Sequence, residues 1–253
     1  MQLAEVNAAL ITGAGSGMGR KTAEFLAQQG VKVVCADIQA EAVKTLANDL
    51  DGLPMVVDVT DPELFERELL AAVDQVGEIR AVVNCAGVLA AGRVIGKHGP
   101  MPLQNFSDVI HVNLVGTFNV MRLVAAHMSS LPAVTSDDER GVIINTSSVA
   151  ATDGQLGQVA YSAAKAGVAA MTLPAARELA RFGVRVMAIA PGIVATPMID
   201  SLSSEAQSEL ARQTCFPKRL GQPKEFAELV GHIIENSYLN ASVIRLDGGI
   251  RMQ

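Results

Sequence analysis

Tyr161 and Lys165 stand four residues apart in "GQVAYSAAKAGVAAM", residues 157 to 171, a run of small residues that reads as a helix. About one helical turn separates them, so both side chains leave from one face and their heads can approach. A free phenol has a pKa of about 10, too high for a base at neutral pH, and a neighbouring ammonium favours the phenolate. A phenol tuned in this way exchanges a proton with an alcohol or carbonyl oxygen. As a bare pair the two residues would be an ordinary surface contact; what surrounds them decides. Thirteen residues before Tyr161, the run "GVIINTSS" (141–148) reads as a strand that delivers Ser147 and Ser148 to the carboxyl edge of a sheet. Open α/β folds bind ligands at that edge, and a hydroxyl there can hydrogen-bond a substrate oxygen beside the phenol. With no G-x-S-x-G and no His or acid at triad spacing, neither serine reads as a nucleophile.

The second constellation is a phosphate loop. "AALITG" (8–13) reads as a first strand and runs into "TGAGSGMGRKTAEFLAQQG", which supplies Gly13, Gly15, Gly17 and Gly19 where a helix begins. Glycine permits the tight turn, and a helix N-terminus offers free N–H groups and a positive dipole end to phosphate. The spacing is Gly13-x-x-x-Gly17-x-Gly19 rather than G-x-G-x-x-G. Asp37 closes the next strand 18 residues past Gly19, where a dinucleotide fold sets a carboxylate against ribose hydroxyls. A 2′-phosphate there would meet like charge, and Ile38 offers no cation, so the pattern favours NAD over NADP. The plain alternative is a carboxylate capping the following helix. Asp58 and Val59 follow the third strand and could hold the adenine, although "DVTDPE" also looks like a helix-starting turn.

The elements needed to hold these groups recur along the chain. Short apolar runs at 8–13, 31–37, 53–59, 81–87, 141–148, 184–191 and 241–249 alternate with helical patterns such as 18–29 and 39–50. That alternation predicts a parallel sheet covered on both faces. No Pro/Gly/Ser-rich linker divides the 253 residues, so one domain is expected. Three segments are longer than crossover loops: 89–104 and 197–220 could shape a pocket, and 129–140 reads as a solvated surface loop.

Composition narrows the partners. Apolar residues make up 49% and charged residues 18%, which indicates a folded chain with a large core. No stretch reaches about 18 uninterrupted apolar residues, so no membrane partner is expected. A net charge of −6 argues against nucleic acid and for small molecules. Cys35, Cys85 and Cys215 lack C-x-x-C spacing and cannot all pair, which fits a reducing compartment; the expected location is a cytoplasm, with no presequence before the first strand and no metal site.

Taken in order, Thr12-Gly13-x-x-x-Gly17-x-Gly19, Asn84-x-Ala86-Gly87, Asn113, Ser148, Tyr161-x-x-x-Lys165 and Pro191-Gly192 resemble the short-chain dehydrogenase/reductase family over nearly the whole chain. The resemblance implies a single-domain Rossmann fold, a doubly wound, mostly parallel seven-stranded α/β sheet with helices on both faces. It implies Tyr161 as the catalytic acid/base and Lys165 as the group that lowers its pKa and holds the nicotinamide ribose. Ser148 would orient the substrate oxygen, and Asn113 would support a relay water. The implied cofactor-binding set is Gly13, Ser16, Gly17, Met18, Gly19, Asp37, Asp58, Val59, Asn84, Cys85, Ala86, Gly87, Tyr161, Lys165, Pro191, Gly192, Ile193 and Thr196, with Thr196 on the carboxamide. Asn84 and Asn113 could instead tie strand ends to backbone, Ser147 reads as structural, and Cys85 as a small packed residue without redox chemistry.

"RGVIINTSSVAA", "MTLPAARELA", "FPKRLGQP" and "LNASVIRLDGGIRMQ" resemble one subfamily more closely, the type 2 3-hydroxyacyl-CoA dehydrogenases, also called 17β-hydroxysteroid dehydrogenase type 10. This implies oxidation of (3S)-3-hydroxyacyl-CoA to 3-oxoacyl-CoA with NAD, a substrate lid at about 197–220, and a homotetramer built through helices at 103–128 and 157–181 and the C-terminal segment. Pro174 predicts a kink or boundary near residue 170 of the second of these. Arg93, Lys97, Lys218 and Arg219 could attract CoA phosphates, or be solvated loop charges. The competing readings are a steroid or alcohol dehydrogenase, a 3-oxoacyl carrier-protein reductase, and a non-catalytic NAD-binding scaffold.

Overall fold

Each of the seven apolar runs becomes a strand of one parallel sheet in the computed structural model, which describes residues 1–200 and 203–252. In chain order these are β1 (Ala8–Thr12), β2 (Lys32–Asp37), β3 (Leu53–Val56) and β4 (Ile79–Asn84), then a detached hairpin of β5 (Ile95–Gly96) and β6 (Gly99–Pro100), then β7 (Gly141–Thr146), β8 (Val184–Pro191) and β9 (Val243–Leu246). The sheet order is β3-β2-β1-β4-β7-β8-β9, with every pair parallel. The chain winds outward from β1 to β3, then returns to β4 on the other side of β1, so the strand order reverses between β1 and β4. A crevice opens beyond the carboxyl ends at such a reversal.

Every residue of β1, β4, β7 and β8 is buried, which is why these strands read as continuous apolar runs rather than alternating ones. The two faces still separate by parity. Ala9, Ile11, Val33, Cys35, Ala81 and Val83 pack on one side against α1 (Gly17–Gln28), α2 (Ala40–Asp49) and α9 (Pro223–Glu235). Leu10, Val34 and Val82 point the other way, toward α3 (Pro62–Val76), α5 (Thr117–Ser129) and α6 (Val159–Leu179). Phe65 and Leu69 of α3, and Val120 and Val124 of α5, fill that second layer. Burying one such side chain contributes roughly 1.5–3 kcal/mol.

α4 (Leu103–Ile110) continues through a π turn (His111–Gly116) into α5. The whole run Leu103–Ser129 is long and apolar enough on average to cross a bilayer, but 56% of its apolar window is buried against protein, as in a core helix. α6 does not end near residue 170: it passes through Pro174 to Leu179. The ring removes one donor, while burial of Val168, Thr172 and Ala176, and the Thr172 hydroxyl donating to the Val168 carbonyl, hold the turns on either side. The 129–140 loop is exposed at its tip but not solvated throughout. Glu139 is buried and accepts from Arg185 at 2.8 Å, and Arg185 also donates to the carbonyls of Ile233 and Ile234 in the last turn of α9 and of Leu239 just beyond it. A charge this deep persists because it is paired and every donor has an acceptor.

Candidate active site

The turn after β1 depends on two glycines. Gly13 has φ +66°, and a Cβ there would lie 2.7 Å from the Ala86 nitrogen; a Cβ on Gly19 would lie 2.2 Å from the Gly13 carbonyl oxygen. Only bare backbone lets the turn press on the end of β4 and still start α1 at once. Ser16, the residue before α1, makes no side-chain cap, and Ser16, Gly17, Met18 and Gly19 all border a cavity of about 620 Å³ at the carboxyl edge of the sheet. An uncapped helix N-terminus facing a cavity is suited to an anion.

Asp37 stands at one end of this cavity. Its Oδ2 accepts from Gly15 N at 2.9 Å and its Oδ1 from Gln39 N at 3.0 Å, so the carboxylate is fixed between the glycine turn and the approach to α2. Asp58 lies alongside and accepts from both the N–H and the hydroxyl of Thr60, the helix-starting turn, while Val59 adds an apolar wall. Both residues border the cavity as well as shaping the turn.

At the other end lie Ser148, Tyr161 and Lys165. β7 ends at Thr146, and Ser148, extended at φ −164°, begins the turn Val149–Ala151 with its hydroxyl accepting from Ala150 N at 3.1 Å. Tyr161 borders the same end of the cavity, and the Ser148 hydroxyl is near enough to favour its phenolate, so the two hydroxyls converge as the spacing of 13 requires. Ser147 turns away and donates to the Lys165 carbonyl at 2.9 Å, which pins α6 to the strand end. Lys165 is buried, its Nζ donating to the Thr146 carbonyl at 2.8 Å and lying 5.7 Å from the Tyr161 ring centroid.

The electrostatics depart from the sequence expectation. Burial holds the Tyr161 phenol above its ordinary pKa, the Ser148 hydroxyl only partly opposing it, and burial pulls Lys165 down to about 8. The ammonium reaches past the ring to Thr146, so it does not lower the phenol by direct contact. Cys85 is pushed up to about 11 by burial and bonds the Thr146 hydroxyl, which leaves it a neutral packed thiol.

Asn113 sits in the π turn with both amide hydrogens taken, by the Val88 and Val109 carbonyls at 2.9 Å each, while its Oδ1 accepts from Val88 N at 3.3 Å. π turns concentrate at functional sites because they push one residue out of the helical register. Here the turn carries Asn113 to the cavity wall beside Lys165. Asn84 is the exception in the cofactor set. It is buried behind the wall, its amide donating to Asn145 Oδ1 at 2.9 Å and its Oδ1 accepting from Thr12, so it ties β1, β4 and β7 together instead of facing the cavity. Ala86, Gly87, Pro191, Gly192, Ile193 and Thr196 all line the cavity.

Residues 7–207 match the family model described as short chain dehydrogenase. The chain belongs to the short-chain dehydrogenase family. It is therefore an oxidoreductase of a family that uses a nicotinamide dinucleotide. It is similar to the 3-hydroxyacyl-CoA dehydrogenase type-2 of Bos taurus, 48% identical over 249 residues, covering 97% of this chain and 95% of the relative. The Homo sapiens protein of the same name is 48% identical over 252 residues, at 97% and 95% coverage. A 3-oxoacyl-[acyl-carrier-protein] reductase of Thermotoga maritima is 36% identical over 252 residues, covering 95% of this chain and 96% of the relative. The solved 3-hydroxyacyl-CoA dehydrogenase type-2 of Mycobacterium avium superposes with a TM-score of 0.93 at 39% identity, covering 97% of this chain and 96% of that one.

Among the remaining wall residues of this short-chain dehydrogenase, Leu89, Ile199 and Leu210 come from the two segments expected to shape a pocket, while Gln155, Gln158 and Met252 had no sequence signal. α7 (Pro197–Asp200) and α8 (Ser204–Arg212) lie in the second of these segments, 197–220. Residues 201 and 202 of that expected lid lie outside the described residues. The four cations expected near the mouth do not line the cavity. Arg219 is committed to Glu225 by two hydrogen bonds of 2.9 and 2.7 Å, Lys218 donates to the Arg212 carbonyl, and Arg93 and Lys97 are exposed on and before the β5–β6 hairpin.

Proposed function

We propose that this chain is an NAD-dependent dehydrogenase that interconverts (3S)-3-hydroxyacyl-CoA and 3-oxoacyl-CoA. The observation that carries the reading is the convergence of Ser148, Tyr161 and Lys165 at one end of a cavity whose other end holds Asp37. The names of the relatives supply the substrate class. The residues present fit the dinucleotide: the uncapped start of α1 for the pyrophosphate, Asp37 for the adenine ribose hydroxyls, and Thr196 across the cleft for the carboxamide. NAD held there would supply the two-electron acceptor for the hydride from C3.

The chain's own groups do the rest. Ser148 holds the substrate oxygen, and Tyr161 Oη takes the hydroxyl proton as the C–H bond breaks, leaving a carbonyl at C3. Lys165 would hold the ribose hydroxyls, and from 5.7 Å its charge would act on the phenolate through space, secondary to the effect of burial. Asn113 anchors the relay path through which the proton leaves. Cys85 packs beside the cofactor without titrating. In the same reading the chain is a single catalytic domain with 197–220 as its substrate lid. It works in a cytoplasm without nucleic-acid or membrane partners, as a homotetramer supported by the exposed Val115, Phe118 and Leu173 on α5, its preceding π turn and α6.

The test is NADH-linked absorbance with acetoacetyl-CoA, a steroid ketone and an acyl-carrier-protein thioester offered in parallel, and with NADPH in place of NADH. The expected outcome is rapid turnover of acetoacetyl-CoA with NADH, a strong preference over NADPH, and a loss of about 10²- to 10⁴-fold in Tyr161→Phe. Turnover of another carbonyl alone would keep the mechanism and remove the thioester. Silence with every carbonyl would leave a scaffold.

A further inference from the structure

Arg245, on β9, ties its own C-terminal segment to a turn 92 residues earlier in the chain. Its Nη1 donates to the Thr152 hydroxyl at 3.0 Å and its Nη2 to Asp153 Oδ2 at 2.8 Å, in the turn that follows Ser148. Its Nε donates to Asp247 Oδ2 at 2.8 Å and Nη2 also to the Ile250 carbonyl at 3.1 Å. The planar fork of a guanidinium can hold such a set at once, which an ammonium cannot. Ile250 is fully buried, and two residues beyond it Met252 borders the cavity. The C-terminal segment also meets the 197–220 segment, where Phe216 N donates to the Gly248 carbonyl at 3.1 Å. The C-terminal segment thus arrives on the Ser148 side of the cavity, not at the Asp37 end.

We infer that Arg245 is a positioning residue for the substrate half of the site, fixing the Ser148 turn to the C-terminal segment so that Met252 forms part of the acyl wall. The inference rests on the proposed thioester chemistry only for the choice of substrate. A Met252 side chain on a wall beside Ser148 distinguishes substrates by how far they extend, and its placement depends on the Arg245 fork. The glycine turn and Asp37 lie at the other end of the cavity, whereas Pro191 and Gly192 also touch β9: Pro191 pairs with Leu246, and Gly192 packs on Asp247 and donates to the Leu246 carbonyl at 2.9 Å.

The experiment compares wild type, Arg245→Gln, Arg245→Lys, Met252→Ala and the Arg245→Gln/Met252→Ala pair, with acetoacetyl-CoA and a long-chain 3-oxoacyl-CoA. Arg245→Gln is expected to raise the thioester KM about tenfold, to lower kcat severalfold through the Ser148 turn, and to raise the NADH KM by much less than the thioester KM. Arg245→Lys restores part of this. Met252→Ala changes the long-to-short preference in the same direction as Arg245→Gln, and adds nothing further in the pair, because both act on one wall. Additive effects, or an unchanged chain-length preference, would overturn the inference.

Failure of the proposed reaction is separable. The chain has no tryptophan, so Met252→Trp carries a sole reporter whose emission can excite bound NADH. If wild type turns over no thioester, energy transfer to NADH that falls severalfold when Arg245→Gln is added still supports the wall. Transfer unchanged by Arg245→Gln counts against it.

Discussion

The cofactor half and the substrate half of this cavity are built in different ways. The cofactor half is made of strand ends and the first turn of α1, held by backbone contacts such as the Gly13–Ala86 approach and by Asp37 accepting from Gly15. The substrate half is assembled from long connections: Leu89 from the loop after β4, Ile199 and Leu210 from 197–220, and Met252 from beyond β9. A half built from the sheet is tied to the fold and leaves little room for change. A half built from excursions can vary its wall without unfolding the sheet, as loops on a rigid scaffold do. Between the halves, Lys165 belongs to both: it is buried in the core like a structural residue and faces the cavity like a functional one.

Substitutions at the junction should therefore have the largest effects. Lys165→Met is expected to reduce kcat by about two orders of magnitude or more and to weaken NADH binding, read by steady-state kinetics and fluorescence titration. It should also raise stability. Burial lowers the folded pKa to about 8 from the ordinary 10.5, a cost on the order of 3 kcal/mol at neutral pH. The folded state releases this proton first, so between about 8 and 10.5 the unfolded state binds more protons and wild-type stability gains with rising pH. The penalty is complete below that window and gone above it. Denaturant melts of Lys165→Met should lack this gain and converge on wild type toward pH 10.5; a variant less stable than wild type at pH 7 would mean that the Thr146 hydrogen bond outweighs desolvation.

A smaller effect is expected within the cofactor half. Asp37→Ser with Ile38→Arg should remove the like charge facing a 2′-phosphate, supply a cation, and shift the NADPH-to-NADH ratio of kcat/KM by about 10- to 100-fold, at a cost of about 1 kcal/mol from the lost Gly15 bond. The smallest belongs to the substrate half. Leu210→Ala should change the thioester KM by less than about tenfold with melting temperature and NADH KM unaltered, since one apolar contact on a loop wall contributes only about 1–3 kcal/mol to discrimination. If Leu210→Ala destabilised the protein as strongly as a sheet-edge substitution, the contrast between the halves would collapse.

Much of the cofactor half was legible because local rules wrote it. A strand, a glycine turn and a helix start are contiguous in "LITGAGSGMG", and Tyr161 and Lys165 share a face by helical period alone. Asn84 shows the limit: its motif is intact, yet it bonds Asn145 and Thr12 behind the wall, a placement set by strand pairing. Pro174 shows another, since the rule that proline ends a helix yields to burial of the turns around it. The solvated reading of 129–140 missed Glu139 because its partner, Arg185, lies on a strand 46 residues away.

The sequence by itself determined the parallel architecture, the glycine turn before α1, the carboxylate that closes β2 and the shared helix face of Tyr161 and Lys165, because each is a short-range pattern of residue type and spacing. Only the tertiary structure decided which way Lys165 points, that burial holds Tyr161 up instead of letting the ammonium lower it, that Arg219 is tied to Glu225, and that Met252 reaches the cavity. Those outcomes depend on desolvation and on contacts across the sheet, and neither is encoded in any local stretch of chain.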